Sequence, residues 1–492
     1  MRLGEILVGA GHITPNDLEM ALERQNRLGG RLGEHLVALQ MVDEAALQAI
    51  LSSVPSAPGT IAETGLPLSD LLRLFMKAAV MGGLETPSRL AQFLKLPSNV
   101  IAKVIDDAVN RKYLEIMGQN VGGGLTELRF SPTQAGRGYA AEAYEQNQYV
   151  GAAPVSLASY HERIHRQKIT NERVDGEKLT QAFSDIIITD DFVRRLGPAV
   201  NSGRSILLYG PPGNGKTTIA EKLAEIFDDV VYIPYALQVE GQIIKIFDPS
   251  VHTPVADPDD VEPTQPKSLR KEDFDRRWVP CKRPIVVTGG ELTLEMLDLS
   301  FNTHSRFYEA PLHVKALSGT FIIDDFGRQI VSPEMLLNRW IVPLQSRIDY
   351  LKLHTGKSFS VPFDELVIFS TNLSPADLMD PAFLRRIPYK LETMGPSAEN
   401  FVRIFQRVAE TAGLKVDEEI IAVVLQELQV KIKKPLACYQ PKFIIDQVVS
   451  TCKYEGKPPA FTKESVLDAL SNLYVHTTGE PAETKGRPVA AA

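Results

Sequence analysis

Residues 205–218, SILLYGPPGNGKTT, restrict the fold more than any other stretch of this chain. Ser205-Ile-Leu-Leu-Tyr209 is a short apolar strand. The following segment fits G-x-x-x-x-G-K-[ST], with Gly210, Gly215, Lys216 and Thr217 in the fixed places. Then IAEKLAEIF reads as an amphipathic helix, with Ile219, Leu223, Ile226 and Phe227 apolar. Strand, glycine-rich loop and helix in this order form a phosphate cradle. The glycines let backbone N–H groups turn inward, and the helix N-terminus adds its positive dipole end. Gly210, Pro211, Pro212, Gly213, Asn214, Gly215, Lys216, Thr217 and Thr218 are therefore candidate nucleotide-binding residues. Lys216 is placed to reach the outer phosphates of ATP, and the Thr217 hydroxyl to bind Mg2+.

Such a loop needs an acid on a neighbouring strand. Thr320-Phe-Ile-Ile-Asp324-Asp325 supplies an apolar run ending in two carboxylates. Asp324 is placed to hold Mg2+ through water, and Asp325 to orient and deprotonate an attacking water. A third strand, Leu366-Val-Ile-Phe-Ser370, ends in Thr371-Asn372, where Asn372 can position that water. Asp380-Pro-Ala-Phe-Leu-Arg385-Arg386 sets two arginines after a short helix, either of which can serve as an arginine finger on a neighbouring subunit's ATP.

The remaining chain length matters because 492 residues are enough for about three domains. Residues 1–54 read as two short helical repeats and 55–66 as a Pro/Gly-rich linker. Residues 67–145 read as helix-turn-helix followed by a hairpin with strands at Tyr113–Gly118 and Leu125–Ser131. Residues 146–177 read as a polar connector. From about 178 to 476 apolar strands alternate with amphipathic helices, the pattern of an α/β domain with a parallel sheet. Within it, residues 253–283 are rich in Pro and charge and read as a surface insertion, while Tyr350–Val361 reads as a hairpin around His-Thr-Gly-Lys. The tail 477–492 reads as disordered.

Composition bounds the partners. Lys+Arg total 53 and Asp+Glu 61, a formal charge of −8, so general affinity for nucleic acid is not expected. The 3 cysteines form no disulfide framework and no CxxC pair. With no long apolar stretch or signal segment, the expectation is a cytoplasmic protein without membrane insertion.

The motifs at 178–476 resemble those of an AAA+ ATPase module. GPPGNGKT matches Walker A, FIIDD Walker B, Asn372 of FSTN sensor 1, and DPAFLRR the finger box. The resemblance implies an α/β core over 178–394, a helical lid over 395–476, ATP and Mg2+ as ligands, a homo-oligomeric ring expected to be a hexamer, and remodelling of a protein partner. In the lid, Tyr439-Gln-Pro-Lys442 resembles the sensor 2 helix with Lys442 where Arg is usual, and Asp325 stands where the family usually has Glu. The hairpin before sensor 1 resembles the branch that includes MoxR-type chaperones, magnesium chelatase and the σ54 activators. The GAFTGA loop of the last group is not found in this chain.

RLGEILVGAGHITPNDLEMALERQ and RLGEHLVALQMVDEAALQAIL begin at Arg2 and Arg31, an offset of 31 − 2 = 29 residues. They resemble the paired motifs in the N-terminal domain of type II secretion and type IV pilus ATPases, in the subclass that binds cyclic di-GMP. The resemblance implies roles for Arg2, Leu3, Gly4, Gln25 and Arg31, since an Arg guanidinium can pair with a guanine edge or stack on its face. The second copy loses the glycine, at Gln40, so protein docking stays open beside cyclic di-GMP binding. Residues 67–145 resemble a winged helix, whose helix offers Lys103, Arg111 and Lys112 against Asp106 and Asp107. That balance favours protein docking over DNA binding. An ATP-dependent transcription regulator and an ATP-gated scaffold with weak hydrolysis are the alternatives to a remodelling ATPase.

Overall fold

The computed structural model describes residues 7–8, 13–28, 32–43, 54–122, 125–255, 274–378 and 380–473. The chain divides into two compact units. One comprises Met1–Ala182, Thr189–Tyr209 and Thr217–Leu391, and the other Phe183–Ile188, Gly210–Lys216 and Glu392–Ala492.

The first unit begins with helices Pro15–Leu28 and Leu32–Ala38. Thr14 and Asp17 start the first helix reciprocally: Thr14 N donates to Asp17 Oδ2 at 2.9 Å and Asp17 N to Thr14 Oγ1 at 3.2 Å. Leu7, Ile13, Ala21, Leu36 and Val42 form the small core between them. Helices Leu68–Met81, Pro87–Leu94 and Ser98–Asn110 then bury Leu72, Phe75, Leu90, Ile101 and Val104 together. An antiparallel hairpin, Leu114–Gly122 with Leu125–Pro132, and helix Gln134–Gln146 follow these three helices.

Two stretches depart from the sequence expectation. Residues 146–177 are not a polar connector. Val155–Ser156 pairs in parallel with Leu237 and Gln238, and helix Leu157–Arg166 buries Tyr160 and Ile164. Its Arg163 is buried over the rings of Tyr232 and Trp278. The end of the supposed surface insertion 253–283 is also core. Trp278–Lys282 pairs antiparallel with Val230–Pro234, and Trp278, Val279 and Cys281 are buried. The charges there are buried because each is matched. Arg277 donates to both Asp275 oxygens, to Thr64 O at 2.8 Å and to Pro154 O at 3.1 Å, and Arg283 pairs with Asp229. A buried guanidinium that is both ion-paired and hydrogen-bonded escapes much of the cost that would otherwise push it to the surface. Residues 256–273 of that stretch lie outside the described residues.

The α/β class expected from the sequence is the class observed. A five-stranded sheet has the order Tyr389–Glu392, Ile206–Tyr209, Leu366–Thr371, Thr320–Ile323, Ile285–Thr288. The last four strands run parallel. Thr320–Ile323 and Leu366–Thr371 are buried at every residue, as central strands of a parallel sheet must be. Helix Pro333–Ser346 covers one face, with Trp340 fully buried and edge-on to Phe321, Phe363 and Phe369. The hairpin read around His-Thr-Gly-Lys is Ile348–Lys352 paired with Ser358–Pro362.

The second unit carries a helical bundle of Ala398–Thr411, Glu418–Gln426, Tyr439–Tyr454 and Lys463–Leu473. Phe401, Phe405, Val424, Ile444, Val448 and Leu470 form its core.

Candidate nucleotide site

The Ile206–Tyr209 strand runs into the loop, and helix Lys216–Ala224 begins at the loop lysine. Gly210, Gly213 and Gly215 have φ of 139°, 76° and 78°, a backbone region that side chains with a Cβ rarely adopt. A Cβ at Gly210 would stand 2.4 Å from Thr393 O, whereas the space beside Gly215 is open. The loop thus has a backbone conformation that calls for glycine at all three positions. Lys216 is buried, and its Nζ donates to Gly210 O at 3.0 Å and Pro211 O at 2.8 Å. Asn214 is buried as well, while Pro211, Pro212 and Thr218 are exposed.

The first unit brings four of the expected residues into two pairs. Thr217 Oγ1 donates to Asp324 Oδ2 at 2.8 Å, so the hydroxyl and the carboxylate can turn together onto one cation. Asn372 Nδ2 donates to Asp325 Oδ1 at 3.0 Å. The second pair follows from strand register. Ile323 lies beside Phe369, Phe326 N donates to Ser370 O at 2.6 Å, and Thr371 Oγ1 donates to Phe326 O at 2.7 Å. These bonds hold the Asp324-Asp325 turn against the end of the Asn372 strand. Asp325 itself has φ of 48°, which an Asp tolerates better than most residues.

The two arginines differ. The Arg386 carbonyl accepts from Ser205 Oγ at 3.4 Å, and its guanidinium lies 5.6 Å from the Phe383 ring centroid. Arg385 is exposed and, among the described residues, has no hydrogen-bond or ion-pair partner on its guanidinium. In the second unit Lys442 is exposed and pairs with Asp446 at 2.9 Å on its own helix. Gln25 is half-buried in its helix, and Arg2, Leu3, Gly4 and Arg31 lie outside the described residues. Among the described residues there is no group of three or more His, Cys, Asp or Glu side chains that could hold a metal ion. The Thr217–Asp324 pair fits Mg2+, which keeps most of its water shell and takes few protein ligands.

Sequence reading singled out Lys442 in Tyr439-Gln-Pro-Lys442 and passed over its neighbours. Tyr439 N donates to Gly213 O at 3.0 Å, and Cys438 N to Asn214 Oδ1 at 3.3 Å. Phe183–Ile188 also groups with the loop and the bundle, where Arg407 Nη2 donates to Ser184 O at 2.7 Å. Main-chain partners of this kind leave no residue-type signature to find.

The model of a domain of unknown function, DUF8689, matches residues 397–472, within the helical bundle. No curated protein matches the sequence. Among solved structures, the RuvB Holliday junction branch migration motor of Thermotoga maritima is 16% identical, over 58% of this chain and 70% of that one, with a TM-score of 0.32. Domain III of the Thermotoga maritima replication initiation protein DnaA is 11% identical, over 60% and 96%, at 0.33. A complex of the magnesium chelatase subunits BchI and BchD is 17% identical, over 59% and 95%, at 0.31. At these scores and identities the likeness carries no argument, and the α/β fold stands on this chain's own strands and register. Among the described residues no helix is long and apolar enough to cross a membrane.

Proposed function

We propose that this chain is an AAA+ ATPase that binds ATP with Mg2+, hydrolyses it, and uses the cycle as a ring of identical subunits to remodel a protein partner. The observation that carries this reading is the glycine-rich loop, with three glycines in the left-handed region and Lys216 at the helix start. The loop amides and Lys216 bind the phosphates, and Thr217 with Asp324 holds the cation. Mg2+ supplies neutralisation of the phosphate charge. Asp325 accepts the proton of the attacking water at its carboxylate, and Asn372 orients that carboxylate and the water. Arg385, exposed and without a partner among the described residues, is the arginine assigned to the neighbouring subunit's nucleotide, while Arg386 ties its own turn to Ser205 and Phe383. Lys442 is given no more than a supporting contact, since its Asp446 partner already holds it.

The winged-helix-like region is assigned to protein docking. Lys103 and Asp106 are both exposed on helix Ser98–Asn110, and Arg111 is neutralised by Asp107 at 2.9 Å. Cyclic di-GMP sensing by residues 1–54 rests on the repeated RLG motif alone. Calorimetry on the full chain and on Arg2→Ala checks it: binding lost in the variant supports sensing, and no binding to the parent at high micromolar ligand leaves docking.

The nucleotide reading is tested by Lys216→Ala. The parent is expected to bind ATP and release phosphate, and the variant to bind at least about a hundredfold more weakly, the scale of several lost charge-assisted hydrogen bonds. Equal binding by parent and variant would refute it.

A further inference from the structure

The Tyr439–Tyr454 helix has no side-chain cap at its N-terminus. The amide of its first residue and that of Cys438, at the N-cap position, donate to the phosphate loop instead, Tyr439 N to Gly213 O and Cys438 N to Asn214 Oδ1. Helix N-termini leave their first amides without helical partners, and here the loop satisfies the first of them. Both sides of the contact are braced. Gln440, buried, accepts from Ala437 N at 2.9 Å and donates to Pro435 O at 3.2 Å, which fixes the turn that presents the amides. Asn214, also buried, donates from Nδ2 to Pro211 O at 3.4 Å. The Tyr439 ring lies against Gly213, where a Cβ would come within 2.2 Å of Tyr439 Cδ1.

We infer that the phosphate loop is the N-cap of this C-terminal helix, and that Asn214 and Tyr439 are positioning residues that link nucleotide occupancy to the setting of the helix. The peptide between Gly213 and Asn214 is trans and planar, so its C=O and N–H point opposite ways. With Gly213 O turned to the helix, Asn214 N–H is aimed away from it, where the nucleotide reading would use it as a phosphate donor. Loss of the cap frees that peptide to rotate and removes the aim. The inference rests on the nucleotide reading of the loop and adds residues that contact the helix, not the reacting atoms.

The test uses the full chain, a fluorescent ADP analogue and thiol alkylation. Cys438 is half-buried beside the contact, whereas Cys281 and Cys452 are buried, so Cys438 is the reporter and Cys438→Ser its control. Asn214→Ala is expected to weaken analogue binding about fivefold, the equilibrium equivalent of one lost N-cap, and Tyr439→Ala, which keeps the amide but loses the ring that lies against Gly213, to weaken it in the same direction. Their thermal midpoints without nucleotide should fall by no more than a few degrees, the scale of one lost cap, and Tyr439→Phe should restore affinity. Saturating analogue should slow Cys438 alkylation in the parent and no longer do so in Asn214→Ala. Parent-like affinity and protection in both alanine variants overturn the link and leave the nucleotide reading standing. Failure of the parent to bind the analogue overturns both.

Discussion

The Thr217, Asp324, Asp325 and Asn372 cluster and the Gly210–Lys216 loop are held in place by different physics. The cluster stands at the ends of buried parallel strands whose register fixes it, and its side chains pair with one another. The loop belongs with the helical bundle, and its contacts there run largely through main-chain groups and closely fitted glycines. On the proposed function, binding and chemistry are thus supported by separate scaffolds. Damage to the sheet should fall on turnover and stability, and damage to the loop's cap on affinity.

The largest expected effect tests the sheet. Trp340 packs on Phe321 and Phe369, which lie on the two strands that carry Asp325 and Asn372. Trp340→Ala should cost about 3–5 kcal/mol in chemical denaturation. The loss should appear in the unit that holds the sheet, and a loss shared equally by the helical bundle would break the comparison.

Acid should separate the units next. His252 is buried with Nδ1 accepting from Asp248 N at 2.9 Å and Nε2 against Lys315 O at 2.8 Å, so the neutral ring is satisfied at both nitrogens. Burial holds its pKa at about 4, against an ordinary 6.5. Because the folded ring takes up a proton less readily than the unfolded chain, its stability contribution is complete above pH 6.5. It is lost as pH falls towards 4, by about 2 kcal/mol at pH 5. Buried His313 is shifted in the same direction by burial. The second unit has no histidine among its described residues. Melts at pH 7 and pH 5 should therefore show the first unit weakening ahead of the second, and His252→Gln should flatten that dependence.

Smaller effects refine the assignments. Asn372→Ala should lower turnover about tenfold with affinity near the parent value, the lower range for an assisting group in proton transfer. Lys442→Ala should change either by less than about twofold, as for an exposed ion pair.

The strand, loop and helix at 205–227 were legible because their chemistry depends on residue type: glycines for φ, a lysine, a hydroxyl. Asp324, Asp325 and Asn372 were legible as polar ends of apolar runs. The core role of 146–177 and 274–283 was not, because Arg163, Arg277 and Arg283 read as surface charge until their rings, carboxylates and carbonyls are seen. The loop's capping of the Tyr439 helix was hidden for a second reason. Gly213 acts there through its carbonyl and Cys438 and Tyr439 through their amides, groups that nearly every residue has.

The most direct measurement is phosphate release by the full chain and by Asp325→Asn, each with nucleotide affinity determined in parallel. The account predicts that the variant binds ATP as the parent does and turns over about a hundredfold more slowly. Parent-like turnover in Asp325→Asn would contradict it.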